Sequence, residues 1–240
     1  MTSSLPGFDD WLNRTLEECA RNAGEDVDTY VMRAVAKQMV SDKARTDKIS
    51  VRELLNHFSD TGVLETDAMP NVGAAISDPG RLRALNATGL LDSPPEATYD
   101  RITRAAADAL DAPFAAVSLI DADRHFFKSA VGMGDMTRPE ERQTPLDQSI
   151  CQYTVADGAP LILEDARNDQ VFKNHPVVRS GAVIAYLGMP LVSHDGHAIG
   201  TLCVFDNKPR QWGTGHVQLL SDLAELAVER IFGPAPASRD

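Results

Sequence analysis

Two strand–turn–strand patterns constrain the fold of this chain more than any other feature. In each pattern, two apolar runs rich in strand-forming residues are separated by a turn too short for anything but an antiparallel return. Helical periodicity precedes the first pattern, over residues 82–109, and follows the second, over residues 215–232. This order predicts an α+β fold, in which helices flank a central antiparallel sheet. The four strand runs are PFAAVSLID (113–121), RHFFKSAVG (124–132), AYLGMPLV (185–192) and HAIGTLCVFD (197–206).

A change in composition predicts the domain boundaries. Residues 61–80 contain three Gly, two Pro and no Lys or Arg, a pattern typical of a linker. Before this linker, residues 1–60 form a predicted helical module, which serves dimerisation or output. Residues 81–232 form the larger predicted domain, and the Pro-containing tail at 233–240 is expected to be disordered. The helices predicted in the module cover Trp11 to Ala23, a segment that starts at Asp26, and Ser50 to Phe58.

Charge and composition exclude several classes of function. The 240 residues carry 23 Lys and Arg against 35 Asp and Glu, a formal net charge of −12, which disfavours binding to nucleic acid and to anionic membranes. No apolar run is long enough to cross a bilayer, and the start lacks a signal-peptide pattern, so we expect a cytoplasmic protein without membrane contact. Three scattered cysteines and six histidines without ligand spacing predict reduced thiols and no metal site.

Several short blocks in the larger domain resemble a known family. SLID, DRHFFK, SIC, EDARNDQVF, YLGMPL and GHAIGTLCVFDNKPR occur in this order and at the spacing of bacterial GAF domains. The resemblance covers about residues 80–232. It implies a central antiparallel sheet with helices on one face and a closed small-molecule pocket on the other. It also implies a sensory role and, as in many members, a dimer formed through terminal helices.

The same blocks predict which residues line the pocket. Gly188 and Pro190 interrupt the pairing of their strand, which predicts an edge or a bulge where a cavity opens. Alternation along GTLCVFD places Leu202 on the core side and Cys203 on the pocket side. Packing in the core explains the aromatic residues predicted to line the pocket equally well. The complete predicted ligand-binding set is Phe126, Phe127, Ser149, Cys151, Asp165, Asp169, Phe172, Tyr186, Gly188 and Cys203.

Two of these groups have alternative explanations. Cys151 follows a segment with N-capping groups, and a helix N-terminus lowers a thiol pKa, so Cys151 is either a reactive thiol or a buried packing residue. Asp165 and Asp169 either recognise a cationic or hydroxyl-rich ligand or cap the short helix that leads to Phe172. Packing and capping are the favoured interpretations.

The resemblance implies a sensory or regulatory protein rather than an enzyme. We expect its GAF domain to bind an unidentified small molecule or to sense redox state. The signal then passes through helices of a homodimer or through a partner protein. The sequence identifies no cofactor, because the patterns for bilin attachment and for cyclic-nucleotide binding are not recognisable.

Two alternatives from other classes remain. One is a thiol-dependent reductase of the free methionine sulfoxide type, acting through Cys151. The other is a DNA-binding regulator, because RTLEECARNAGEDVDTYVMRAVAKQMV is similar to the two helices of ribbon-helix-helix proteins. The preceding segment, TSSLPGFDD, contains Pro6, Gly7 and two Asp and does not suit a DNA-reading strand. Dimerisation is therefore expected, and DNA binding is not.

Overall fold

The computed structural model describes residues 9–22, 26–46, 69–134, 136, 138–169 and 171–233. The chain divides into two compact units, Met1–Ala68 and Met69–Asp240. Among the described residues, no helix is both long enough and apolar enough to span a bilayer. The predicted helix at 50–58 and the tail at 234–240 lie outside the described residues, as does most of the segment expected in place of a DNA-reading strand.

The first unit contains two helices in its described part, α1 (Asp10–Asn22) and α2 (Val27–Thr46). Asp9 begins α1, because its carboxylate accepts a hydrogen bond of 2.8 Å from the Leu12 amide. The two helices contact each other, and Ala20 and Ala36 are buried. These two helices correspond to the first two that the sequence predicts.

The second unit is an α+β domain built on a six-stranded antiparallel sheet. The strand order is β3-β2-β1-β6-β5-β4, so the two predicted hairpins lie side by side through β1 and β6. The predicted fold class is confirmed. The strands are β1 (Phe114–Ile120), β2 (Arg124–Val131), β3 (Gln143–Pro145), β4 (Leu161–Leu163), β5 (Ala185–Val192) and β6 (Ala198–Asp206). The helices are α3 (Gly73–Ile76), α4 (Pro79–Ala87), α5 (Ala97–Ala109), α6 (Cys151–Asp157), α7 (Pro176–Arg179) and α8 (Thr214–Phe232).

One face of the sheet, which we call the core face, packs against α5 and α8. The pleat turns alternate side chains of each strand toward these helices, among them Val117 of β1 and Leu202 of β6. Helix α8 contributes Leu220, Ala224 and Ala227, which are buried and belong to the stripe expected from its periodicity. The core face is therefore almost entirely apolar.

The second face, which we call the α6 face, packs against the short helix α6, which contacts β1, β5 and β6. Helix α6 ends at Gly158, whose φ of 59° lies in the left-handed region that glycine adopts easily. Four 3₁₀ turns lie in the segments before and after α6, at Pro139–Arg142, Leu146–Gln148, Ala166–Asn168 and Phe172–Asn174. The sequence predicts a short strand at Leu161–Leu163 and a short helix that leads to Phe172, and it otherwise predicts an irregular region here.

Two local predictions need correction. Strand β5, predicted to be an edge strand or to contain a bulge, is not an edge strand, because it pairs with β6 along its length and with β4 at residues 186–188. Its pairing with β6 does shift register between Leu191 and Val192, next to Pro190. Pro190 lies beyond the end of β4, so its missing amide hydrogen costs no pairing on that side. The second correction concerns the predicted linker. Residues 69–80 belong to the second unit, and they contain α3 and the start of α4.

Arg81 of α4 anchors this N-terminal segment to the sheet. Its guanidinium is 4% exposed and donates to the carbonyl oxygens of Ile76 (3.0 Å from Nε) and Ile120 (2.6 Å from Nη1). Asp78 accepts from the Arg81 amide at 2.7 Å and caps α4. Through Ile76, these hydrogen bonds hold part of the predicted linker against the sheet.

Candidate functional site

The α6 face differs from the core face because its strands present polar side chains. Ser118 of β1 lies directly opposite Thr201 of β6, so both side chains point to the same face of the sheet. Cys203 lies two residues further along β6 and points the same way. Tyr186 of β5 joins them, because its neighbours Ala185 and Leu187 belong to the core face.

Helix α6 brings a second thiol onto this polar surface. Cys151 is its first residue, and the Sγ atoms of Cys151 and Cys203 are 3.8 Å apart. Ser118 Oγ lies 4.0 Å from Cys151 Sγ. The Tyr186 hydroxyl donates to Cys151 Sγ over 3.4 Å and lies 3.3 Å from Thr154 Oγ1. Both cysteines are free thiols and both are buried.

Gly188 explains how Tyr186 reaches Cys151. A Cβ atom at position 188 would meet the Tyr186 hydroxyl oxygen and would lie 2.6 Å from Cζ and 2.7 Å from Cε1 of that ring. The Tyr186 ring therefore lies along its own strand, over the space that a side chain at 188 would occupy. The sequence anticipates a close approach at Gly188, and the structure identifies the tyrosine ring as the group that approaches.

The two thiols differ in acidity. The hydrogen bond with Cys203 lowers the pKa of Cys151 well below its ordinary value, although burial opposes this, and nearby His125 lowers it further. The same bond and burial raise the pKa of Cys203. Burial, together with the two sulfur atoms, also raises the pKa of Tyr186, so its hydroxyl stays protonated and available as a donor. The Tyr186 hydroxyl donates to Cys151 Sγ, and this bond favours a thiolate at Cys151 over one at Cys203.

Five buried polar atoms near this surface lack a hydrogen bond of normal geometry among the described residues. The nearest candidate partners are the Cys151 sulfur for His125 and Thr201 and the Ser149 backbone for His175. Leaving such an atom unpaired costs about 1–3 kcal/mol, so several in one place are unusual for a purely structural region. His125 and Thr144 are directly opposed on β2 and β3, and Thr201 contacts the thiols. Ser149 and His175 come from the segments that cover the sheet. The atoms are His125 Nε2, Thr144 Oγ1, Ser149 Oγ, His175 Nε2 and Thr201 Oγ1.

Aromatic rings close one side of the site. Tyr153 of α6 meets Phe172 edge to face at 5.3 Å and His175 at 5.8 Å between ring centroids. Burial lowers the pKa of His175, whereas the Ser149 backbone and the charges of Asp147 and Cys151 act in the opposite direction. Burial also raises the pKa of Tyr153 to about 12. These rings exclude water from the neighbouring polar atoms.

We call the assembled group the polar cluster. It contains seven side chains from β2, β5, β6, α6 and the two covering segments, and Tyr153, Phe172 and Phe127 line it. Phe127 contacts His125 with ring centroids 4.2 Å apart. The seven members are His125, Ser149, Cys151, His175, Tyr186, Thr201 and Cys203.

The structure brings together seven of the ten residues predicted to bind a ligand. Phe126 is not among them, because it points to the other face and belongs to the apolar core. Asp165 accepts from the Arg167 amide and forms an ion pair with its guanidinium at 2.7 Å. Asp169 accepts from the Val171 and Phe172 amides. Both carboxylates therefore cap turns, as favoured above. The seven are Phe127, Ser149, Cys151, Phe172, Tyr186, Gly188 and Cys203.

Sequence reasoning missed two members of the cluster, His125 and His175. Strand alternation places Thr201 on the pocket side with Cys203, but the predicted ligand-binding set does not include it. The histidines were considered only as metal ligands, and among the described residues no three metal-binding side chains meet. Strand alternation contains the missing signal for His125, because it shares a face with Phe127. His175 precedes Pro176 and caps α7, since its Nδ1 accepts from the Val177 amide at 3.4 Å.

A groove of about 560 Å³ opens at the end of β6 near the core face, away from the polar cluster. None of its lining residues was predicted to bind a ligand. Its charged residues include Asp206 and Arg210, which pair with each other at 2.7 Å. The Asp206 carboxylate also accepts from the Lys208 amide at 3.1 Å, and this bond stabilises the turn after β6.

Comparison with known proteins identifies the family. The family model for the GAF domain matches residues 94–231, more than half of the chain, so the chain belongs to the GAF domain family. GAF domains are typical of sensory and regulatory proteins.

One curated relative is a protein of Pseudomonas aeruginosa named a cyclic di-GMP phosphodiesterase. It is 31% identical over 145 residues, which are 60% of this chain and 24% of the relative. The chain therefore spans about a quarter of the length of that relative. This finding contradicts the expectation that the chain is not an enzyme, and we withdraw that expectation.

Several solved structures are also similar to the chain. The GAF domain of an Acinetobacter phosphoenolpyruvate-protein phosphotransferase is 16% identical with a TM-score of 0.45, covering 64% of this chain and 94% of that one. Free methionine-R-sulfoxide reductase of Neisseria meningitidis is 18% identical with a TM-score of 0.46, covering 67% and 83%.

Proposed function

We propose that the second unit is a sensory domain that binds a small polar molecule at the polar cluster. The observation that carries this proposal is the group of buried, unpartnered polar atoms on the α6 face. A ligand with both donor and acceptor atoms would satisfy them and recover the free energy that their burial costs. If this region served only stability, we would expect these atoms to have hydrogen-bond partners or apolar side chains to stand in their place.

The chemistry of the cluster restricts the ligand. The hydroxyls of Ser149 and Thr201 both donate and accept, and a neutral histidine offers one donor and one acceptor. The surrounding rings favour a ligand with an apolar part. A cationic ligand is not favoured, because Asp165 and Asp169 are already engaged in capping. We therefore propose an uncharged, hydroxyl- or amide-bearing molecule.

Helix α6 supplies the route by which binding changes the rest of the domain. It contributes Cys151 and Tyr153 to the site and packs on β5 and β6, whose opposite face carries α8. A ligand that moves α6 would thereby bias the strands against which α8 packs. We propose that the signal leaves through the helices of a homodimer or through a partner protein. The segment that matches this chain makes up about a quarter of the relative, which is named a cyclic di-GMP phosphodiesterase. This arrangement supports a regulatory role for the segment.

Native mass spectrometry of the full chain tests the ligand proposal. We expect the wild-type protein to retain a non-covalent small molecule and a Ser149→Ala, Thr201→Val double variant to lose it. Thr103→Val is a matched control, because Thr103 is a buried threonine of α5 whose hydroxyl donates to the Tyr99 carbonyl at 2.9 Å. The proposal would be contradicted if the wild type and both variants showed only the mass of the polypeptide without a ligand. Retention of the ligand by the double variant would also contradict it.

The 3.8 Å separation of the two thiols favours a second candidate function, a thiol-dependent reductase. In this reaction the Cys151 sulfur would take the oxygen of the sulfoxide as a sulfenic acid, and the thioether would be released. Cys203 would then attack the Cys151 sulfur and form the disulfide, and the hydroxyl group would leave as water with the Cys203 proton. The test is turnover of free methionine sulfoxide with dithiothreitol as the reductant. This candidate predicts turnover by the wild type and by Cys19→Ser, and none by Cys151→Ser. An inactive wild-type protein would eliminate it.

A further inference from the structure

We propose that Cys151 and Cys203 form an oxidation site at which a peroxide converts the two thiols into a reversible disulfide. The site shares its side chains with the polar cluster but requires no bound ligand, because Cys151 already contacts Cys203 and Tyr186. The two cysteines are 52 residues apart in sequence and lie on α6 and β6. An oxidised bond between them would fix α6 to the centre of the sheet.

The geometry requires only a small local movement. A disulfide has a sulfur separation of about 2.05 Å, and the present separation is 3.8 Å. The proposal requires both side chains to rotate about χ1 and the first turn of α6 to shift until the sulfur atoms meet. Cys151 is the first residue of α6, so it lies where a helix deforms most readily. Cys203 lies in a central strand and provides a rigid partner.

The burial of the two cysteines restricts the oxidant to a small molecule. Cys151 is 4% exposed and Cys203 is 1% exposed. A bulky disulfide such as oxidised glutathione cannot reach sulfur atoms enclosed to this degree, whereas hydrogen peroxide is small, uncharged and polar. Cys19 provides an internal comparison, because it is an exposed free thiol in the first unit. A bulky oxidant is therefore expected to modify Cys19 and leave the buried pair reduced.

The reaction balances with hydrogen peroxide as the only added reactant. The Cys151 sulfur attacks one peroxide oxygen and the O–O bond breaks, which leaves a sulfenic acid on Cys151. The departing hydroxide takes the former Cys151 thiol proton and leaves as water. Cys203 Sγ then attacks the Cys151 sulfur, the S–O bond breaks, and the hydroxyl group leaves with the Cys203 proton as a second water. Two thiols are oxidised, and one peroxide is reduced.

Tyr186 acts as a positioning residue in this reaction. Its hydroxyl donates to Cys151 Sγ over 3.4 Å, and this bond orients the sulfur and stabilises its thiolate. The thiolate is the form that reacts with peroxide. Tyr186→Phe removes this hydroxyl but keeps the ring over Gly188. The variant is therefore expected to react more slowly at neutral pH, by at most about tenfold for each pKa unit by which the Cys151 pKa rises.

Peptide mapping of the full wild-type chain tests the proposal without any substitution. The protein is treated with hydrogen peroxide, its remaining thiols are alkylated under denaturing conditions, and the peptides are analysed by mass spectrometry. We expect a peptide pair joined through Cys151 and Cys203, which dithiothreitol separates, and an alkylated Cys19. Treatment with oxidised glutathione in parallel is expected to modify Cys19 alone. Unlinked Cys151 and Cys203 after peroxide treatment, whether alkylated or over-oxidised, would overturn the proposal.

Variants identify the order of events. Cys203→Ser is expected to accumulate sulfenic acid at Cys151, whereas Cys151→Ser leaves Cys203 reduced and Cys19→Ser forms the disulfide as the wild type does. In Tyr186→Phe, the pH profile of disulfide formation is expected to move to higher pH, a shift that a purely structural defect does not produce. A profile identical to that of the wild type would exclude Tyr186 as the positioning residue.

Discussion

The two faces of the sheet are built from the same strands but present different side chains. Toward α5 and α8, the strands present aliphatic side chains that are fully buried, such as Leu187 and Leu202. Toward α6, the same strands present a tyrosine, two hydroxyls and a thiol. Because neighbouring residues of one strand contribute to both faces, the difference cannot come from strand propensity. It comes from what each face is required to contact.

Charged groups that are buried elsewhere in the domain sharpen this contrast. Lys128 is 1% exposed, and its ammonium group is paired with Glu96 at 2.7 Å and with the Pro94 carbonyl at 2.8 Å. Arg142 is 3% exposed and donates to the carbonyls of Phe127 (3.1 Å) and Lys128 (3.0 Å). The domain therefore pairs its buried cations. The unpartnered polar atoms around α6 are a local exception, and local exceptions of this kind are typical of functional sites.

The largest expected effect is on the core face. Leu202→Ala removes a fully buried side chain and is expected to lower the free energy of unfolding by about 2–5 kcal/mol, because a cavity remains. The measurement is equilibrium unfolding in urea. Leu226→Ala is the control, since Leu226 of α8 is 52% exposed and should change stability by less than about 0.5 kcal/mol. Similar losses for the two variants would contradict the assignment of this face as the core.

Gly188→Ala is expected to have the next largest effect, about 1–3 kcal/mol, because the new methyl group displaces the Tyr186 ring. The same substitution in a Tyr186→Ala background should cost less, because the collision partner is absent. Urea unfolding of the four proteins in this double-mutant cycle measures the coupling. Equal costs in both backgrounds would show that Gly188 does not provide space for Tyr186.

Thr201→Val and Thr103→Val compare the two faces with substitutions that hardly change the shape of the side chain. The substitution removes an unpaired buried hydroxyl, so we expect the ligand-free protein to become more stable by about 1 kcal/mol. The matched substitution Thr103→Val removes a hydroxyl that has a partner, so it should stabilise the protein little or slightly destabilise it. Thermal unfolding of both variants provides the measurement. A loss of stability in Thr201→Val would mean that its hydroxyl is already satisfied.

The smallest expected effect concerns pH. Because burial holds the pKa of His175 below its ordinary value of 6.5, the unfolded chain takes up a proton more readily than the folded one. The corresponding stability is present above pH 6.5 and is lost as pH falls from 6.5 toward the folded-state pKa. His175→Asn keeps a side chain that can cap α7 and removes this titration.

The check is the change in the urea midpoint between about pH 7.5 and about pH 5.5. Acidic groups titrate in both proteins, so the difference between wild type and His175→Asn isolates the contribution of the histidine. The wild type is expected to lose more stability over this interval. The opposite order would indicate that His175 is charged in the folded protein.

Strand patterns made most of the fold predictable. Turn length and apolar runs fix both hairpins, and β4 coincides with the predicted Leu161–Leu163. The position of β5 inside the sheet was not predictable from Gly188 and Pro190, because only the shortness of β4 reconciles the proline with pairing on both sides. The structure divides into compact units after residue 68, whereas the sequence places the domain boundary at residue 80. Gly and Pro are also compatible with short helices, and α3 and α4 depend on the burial of Arg81.

The candidate site was predictable where a residue type and its face coincide, as for Cys203. The membership of a residue in the site was not predictable where it depends on strand register or on the presence of a hydrogen-bond partner. Phe126 and Phe127 are adjacent in sequence, and only the register of β2 assigns one to the core and the other to the site. The sequence also gives no sign that the hydroxyls of Ser149 and Thr201 lack partners, since partners depend on tertiary contacts.

Whether the α6 face binds a polar molecule is tested most directly by a high-resolution crystal structure of the chain purified from its native host. The account predicts electron density for a non-protein molecule within hydrogen-bonding distance of at least two of Ser149 Oγ, Thr201 Oγ1 and His125 Nε2. A structure in which these three atoms are paired with one another, with side chains filling the space between α6 and the sheet, would contradict it.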